Sequence, residues 1–167
     1  MDTKKFQEYS ARITQASRSQ LVVITFEIII ESIRDAMVSY NKNDIAAFQK
    51  ELNRGKLLIN EKIGALDMQY DISKELFQIY EYCGRMIAEA FVKGTSAVSP
   101  KLEEDKLNRV ISIMERLKSS FEQVAKQDES GPVMKNTQKL YAGLTYSRKS
   151  LNEVFVNVNE ASRGFKA

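Results

Sequence analysis

Apolar residues fall at steps of three and four through most of the chain. Between Gln20 and Tyr40 they recur at Val22, Phe26, Ile29, Ile33, Met37 and Tyr40, which places them on one face of a helix. Leu21, Val23, Ile24, Ile28 and Ile30 add apolar surface on the other faces. A helix that is apolar on most sides has to be covered on most sides, so this one is expected at the centre of a bundle. Ser17 and Gln20 form a capping-box pattern ahead of it. The charges at Glu27, Glu31, Arg34 and Asp35 make the stretch too short and too interrupted to span a bilayer.

The same periodicity predicts three more helices. After a polar break at Asn41–Asn43, with Asn43 or Asp44 as cap, a helix is expected over about 44–66 on the seam Ile45, Phe48, Leu52, Gly55, Ile59, Ile63 and Leu66. Gly55 on that seam implies a close helix contact, since a mid-helix glycine costs about 1 kcal/mol against alanine. Asp67–Asp71 reads as a turn. The next helix, about 72–93, puts Leu76, Ile79, Cys83, Met86, Ile87 and Ala90 on the core face and turns Tyr80, Tyr82 and Phe91 elsewhere. Gly94 reads as its stop signal. Ser99–Pro100 is expected to open the last of the four, as cap and first helical residue. That helix carries Leu107, Val110, Ile111, Met114, Leu117, Phe121 and Val124.

The fold class that follows is all-α, an antiparallel up-and-down four-helix bundle spanning residues 1–125. Residues 1–16 form a polar arm whose apolar points, Phe6, Tyr9 and Ile13, share one side of a short helix. Such an arm either frays or lies on the bundle through those three residues. After Ala125 the chain becomes polar and closes on Gly131–Pro132, a linker by composition. The tail of the segment 126–167 carries Leu140, Tyr141, Leu144 and Tyr146. It also carries a second capping box, Ser150 to Glu153, which makes a short fifth helix a candidate at about 151–162. The tail docks on the bundle or moves freely; the pattern leaves both open.

Composition removes most chemistry. There is no histidine and one cysteine, Cys83, so zinc sites of His and Cys, His-based triads and an intrachain disulfide are all excluded. Di-iron bundles need Glu-x-x-His pairs. Glu103, Glu104 and Asp105 sit in an expected first helical turn, where they favour the helix dipole. Cys83 reads as a small buried hydrophobe. There is no phosphate loop or nucleophile elbow. The 25 basic and 22 acidic residues nearly cancel, to +3, and alternate along each segment, so no basic stripe points to nucleic acid. The N-terminus has no apolar leader. The expectation is a cytosolic, non-enzymatic protein without cofactors or metal that works by binding.

Apolar residues exceed what one seam per helix needs. The partner-binding set read from the sequence is Val23, Phe26, Ile30, Leu57, Leu58, Met68, Tyr80, Tyr82 and Phe91, with Tyr70 near the rim. Bundles receive amphipathic helices in grooves of this kind. The alternatives are burial by the tail, or by a second copy in a self-associating scaffold.

Three blocks resemble the flagellar secretion chaperones of the FliS type. In QASRSQLVVITFEIIIESI (15–33), Ala16, Ser17 and Leu21 match the family's Ala-Ser-Pro-x-x-Leu run. Arg18 replaces its Pro, and Phe26, Glu27 and Ile28 replace Tyr-Asp-Gly. Residues 56–90 are similar in Leu66-Asp67-Met68, Leu76, Ile79-Tyr80-Glu81-Tyr82 and Ala90. In VISIMERLKSSFEQV (110–124), Phe121 takes a usual Trp position. The resemblance covers about 6–125 and implies a cytosolic four- or five-helix bundle. Its partner would be the disordered C-terminal segment of flagellin, kept from early polymerisation and delivered to the export gate. It further implies that the arm lies over part of the groove as a lid, with Tyr9 the matching residue and Phe6 and Ile13 beside it.

Overall fold

The computed structural model describes residues 3–134, which lie within one compact unit, Met1–Lys135. It holds five helices: α1 (Thr3–Gln15), α2 (Arg18–Asn41), α3 (Ile45–Gly64), α4 (Asp71–Gly94) and α5 (Glu104–Gln127). The candidate helix at 151–162 and the apolar group at Leu140–Tyr146 lie outside the described residues.

Helices α2 to α5 form the bundle, each packing on its chain neighbours, with α5 closing the ring against α2. Neighbours are antiparallel: Tyr40 of α2 meets Phe48 of α3, Phe26 of α2 meets Phe121 of α5, and Glu89 of α4 pairs with Lys106 of α5. The core comprises Phe26, Ile29, Ile33, Phe48, Leu52, Ile59, Tyr80, Cys83, Ile87, Leu107, Val110 and Met114, all nearly inaccessible. Burying one such large side chain stabilises by roughly 1.5–3 kcal/mol. As expected of its composition, α2 is the central helix. It buries Val23, Ile24, Phe26, Ile28, Ile29, Ile30 and Ile33, and it packs on α1, α3 and α5.

The local signals mostly act as their chemistry dictates. Ser17 and Gln20 complete the capping box: Gln20 N donates to Ser17 Oγ (3.4 Å) and Ser17 N donates to Gln20 Oε1 (2.9 Å). Asp44, not Asn43, caps α3 by accepting from Ala47 N at 2.9 Å. Asn43 takes the left-handed turn conformation, φ 60°, which asparagine tolerates better than most residues.

Three expectations need correction. The last bundle helix starts at Glu104, not at Pro100. Lys101 N donates to Lys93 O (3.0 Å), which folds residues 95–103 back over the end of α4. Leu102 and Leu107, on either side of the Glu103 cap, both join the core in the arrangement of a hydrophobic staple. Tyr80 faces the core and is 2% exposed; the apolar seam of α4 is broader than a strict 3–4 count admits. Gly94 is the last residue of α4 but has no positive φ, so it is not a left-handed stop. Its reason is steric. A Cβ there would stand 2.5 Å from the Phe48 ring.

The two buried helix glycines therefore differ. At Gly55 an added Cβ meets Ile33 Cγ1 at an ordinary 3.6 Å. Gly55→Ala is expected to be neutral or to stabilise by up to about 1 kcal/mol through helix propensity. Gly94→Ala is expected to destabilise by about 1–3 kcal/mol through overpacking against Phe48. Urea unfolding midpoints of the two variants check the contrast.

Candidate functional site

The arm folds as α1 and runs antiparallel along α2, joined to it by Ala16 and Ser17 alone. Tyr9 and Ile13 pack with Ala16, Leu21, Ile24, Ile28 and Leu58 in an apolar cluster outside the main core. Two ion pairs flank this contact. Arg12 donates to Glu27 (2.6 Å), and Lys5 pairs with Glu31. Glu27 and Glu31 are one turn apart on α2 and meet the basic edge of α1. Phe6 does not join the contact and is 58% exposed. It stands on the flank of the stripe that Lys5, Tyr9, Arg12 and Ile13 set against α2, so α1 rests on two of the three residues expected of a lid.

The electrostatics favour this packing of α1 on α2. Burial, then a hydrogen bond to Glu31, raises the Tyr9 phenol well above its usual value, so Tyr9 stays neutral. Burial alone would raise the Glu31 carboxyl; hydrogen bonds from Lys5 and Tyr9 overcome it and hold Glu31 below the usual carboxylate range. The hydrogen bond to Glu27 raises Arg12.

The sequence-derived partner set divides by burial. Phe26 is wholly enclosed, with its ring 6.4 Å from Tyr80 and 5.5 Å from Phe121, and Lys62 Nζ stands 5.6 Å from its centroid. Desolvation lowers the Lys62 ammonium below its ordinary value. Burial lifts the Tyr80 hydroxyl and the Cys83 thiol, each to about 12, as befits core groups. Ile30 is buried too. Phe26, Ile30 and Tyr80 are thus structural, because the bundle itself encloses the faces that carry them. Val23 is also buried, at the wall of a cleft shared with Arg12 of α1 and Glu122 of α5.

The remainder, apart from Leu58, keep surface open to solvent. Tyr82 lies with Ile79, Ile113 and Leu117 in an apolar groove of about 540 Å³ between α4 and α5, where Arg109 donates to its hydroxyl at 3.3 Å. Phe91 lines a smaller groove between α3 and α4 with Lys56, Ala88 and Val92. Leu57 and Met68 are about half exposed, on α3 and in the α3–α4 turn. Leu58 lies under α1. Sequence reasoning left Ile24 and Ile28 out of the site. With Leu21 they make a second 3–4 stripe on α2, and α1 covers that stripe.

The family described as flagellar protein FliS matches residues 2–129. The chain belongs to this family. Membership implies a role as a flagellar export chaperone with a flagellin-type partner, and the family is one of chaperones, not enzymes. No curated protein matches the chain. The matched span takes in the whole FliS bundle, the α1 cover and the start of the segment after α5. No helix among the described residues is long and apolar enough to cross a membrane.

The depressed Glu31 carboxyl sets a direction for pH. A carboxyl whose folded pKa lies below its unfolded one stabilises above the unfolded value and loses that contribution as pH falls through the folded one. Acidification below about pH 4 is therefore expected to loosen α1 ahead of the bundle, seen in far-UV circular dichroism as a small helical loss before the cooperative transition. At neutral pH, Glu31→Gln is expected to speed tryptic cleavage at Lys5 and Arg12, and to leave sites within α2–α5 protected.

Proposed function

We propose that this chain is a cytoplasmic export chaperone that binds the disordered C-terminal segment of flagellin, keeps it from premature polymerisation and delivers it to the flagellar export gate. The observation that carries the reading is the packing of α1, which we take as a removable cover. A short helix, attached through two residues, lies on the apolar stripe Leu21, Ile24, Ile28 and Leu58. An amphipathic client helix has the same requirements as α1: apolar residues at 3–4 spacing and basic flanks toward Glu27 and Glu31. The groove at Tyr82 is open without any displacement and suits a further client helix, with Phe91, Leu57 and Met68 as accessible apolar edges. Buried Val23, Phe26, Ile30 and Tyr80 support these surfaces from beneath.

The mechanism is coupled folding and binding. A client of this kind buries about 1,000–3,000 Å² and loses several kcal/mol to its own ordering, so contiguous apolar surface has to supply the surplus. The cover lowers apparent affinity by the fraction of time the stripe is closed. That keeps the apolar strip out of water between clients and leaves release feasible.

Titration of the isolated flagellin C-terminal peptide is expected to give saturable binding in calorimetry, with helix gain in circular dichroism. Light scattering is expected to report a one-to-one complex; assembly of the chain alone, unaffected by peptide, would instead favour a self-associating scaffold. Deleting residues 1–14 is expected to leave the bundle folded and affinity unchanged or up to about tenfold tighter. A large loss would make α1 part of the site. Ile28→Glu, which puts a charge on the stripe, is expected to weaken binding at least about tenfold.

A further inference from the structure

The chain leaving α5 returns to the joint between α1 and α2. Asp128 follows the last residue of α5, and its carboxylate accepts from Ser17 Oγ at 2.9 Å, from Ser19 N at 3.4 Å and from Ser19 Oγ. Ser130 N also donates to the Asp128 carboxylate, at 2.9 Å, which closes a turn and fixes the side chain. Five residues on, Val133 N donates to Ala16 O at 3.1 Å. Residues 128–134 therefore grip both residues of the two-residue joint, Ala16 through its carbonyl and Ser17 through its hydroxyl. The grip is polar and charge-assisted, and it sits at the positive end of α2, where a carboxylate is favoured. Hydrogen bonds to Ser130, Ser19 and Ser17 hold the Asp128 carboxyl well below the usual range, so it is ionised throughout the physiological window.

For α1 to leave α2, the backbone at Ala16 and Ser17 has to rotate, because no other covalent hinge joins the two helices. Among the described residues, α1 holds α2 through Tyr9 and Ile13, the ion pairs of Lys5 and Arg12, and the hydrogen bond from Tyr9 to Glu31. A joint held from outside adds a restraint that α1 does not supply. We propose that residues 128–134 are a strap that locks the α1–α2 joint, and that release of Asp128 and Val133 from it sets how readily α1 lifts. The inference deepens the reading of α1 as a removable cover by naming what controls it. It makes opening at the N-terminal end of the chain depend on the state of the segment beyond α5.

The test is amide hydrogen exchange on the full-length chain, wild type against Asp128→Ala, Ser19→Ala and Val133→Pro. Asp128→Ala is expected to speed exchange of the α1 amides about fivefold, the effect of a lost hydrogen bond, with α2–α5 core amides unchanged. Ser19→Ala and Val133→Pro, each removing one tie, are expected to act in the same direction. Unchanged α1 exchange in all three variants would overturn the strap. So would a parallel rise in the core amides, since that reports general destabilisation. Peptide affinity separates the two ideas. If deletion of residues 1–14 leaves flagellin affinity unchanged or tighter, as expected, while the strap variants leave α1 exchange untouched, the strap fails and the cover stands. If the strap variants free α1 and deletion of residues 1–14 costs most of the peptide affinity, the cover reading fails and the lock remains.

Discussion

The structure depends on a surplus of apolar surface on one helix. α2 carries bulky aliphatic and aromatic side chains around most of its circumference. In water each is a liability of the order of 1–3 kcal/mol, so every side of α2 has to meet another element. The core seam goes to α3 and α5, with α4 completing the ring. The stripe Leu21, Ile24 and Ile28 is left over, because four helices in a ring leave the central one an outward edge. α1 occupies that edge. The arm is therefore a response to α2, and its own composition explains why it is a modest one: a mostly polar helix with two apolar residues turned inward.

Much of the fold was legible because the forces that set it are local or periodic. The boundaries of α2, α3 and α4 follow from where the 3–4 pattern starts and from Ser17 and Asp44, whose side chains cap whatever backbone lies ahead of them. What escaped depended on distant parts of the chain. Ser99–Pro100 has good start chemistry, but the tie from Lys101 to Lys93 overrides it. Gly94 carries a stop-signal residue type at a helix end. Its cause is the Phe48 ring from another helix, which no local rule includes.

The site was less legible than the fold for a related reason. Periodicity says that a side chain is apolar and which face it shares; it does not say whether a neighbour covers that face. Tyr80, off the strict seam, and Phe26, on it, both stand in the partner set read from the sequence and both prove central to the core, since a bundle core has breadth as well as length. Ile24 and Ile28 were visible as off-seam residues, yet only the position of α1 marks them out from Ile30, which the bundle itself buries. Asp128 lay in a stretch that reads as linker by composition. Its bonds to Ser17 and Ser19 span more than a hundred residues of sequence, and no pattern within either segment announces them.

The joint of Ala16 and Ser17 has a quantitative consequence. A helix tethered through two residues samples its seat at an effective concentration that short connections place around millimolar. A contact as small as that of Tyr9 and Ile13, which in two separate molecules would scarcely register, is thereby given a local concentration at which it can compete for the seat. On the reading of α1 as a removable cover, a guest from solution would compete against a tethered rival, and once it departed the rival would resume its place without any search.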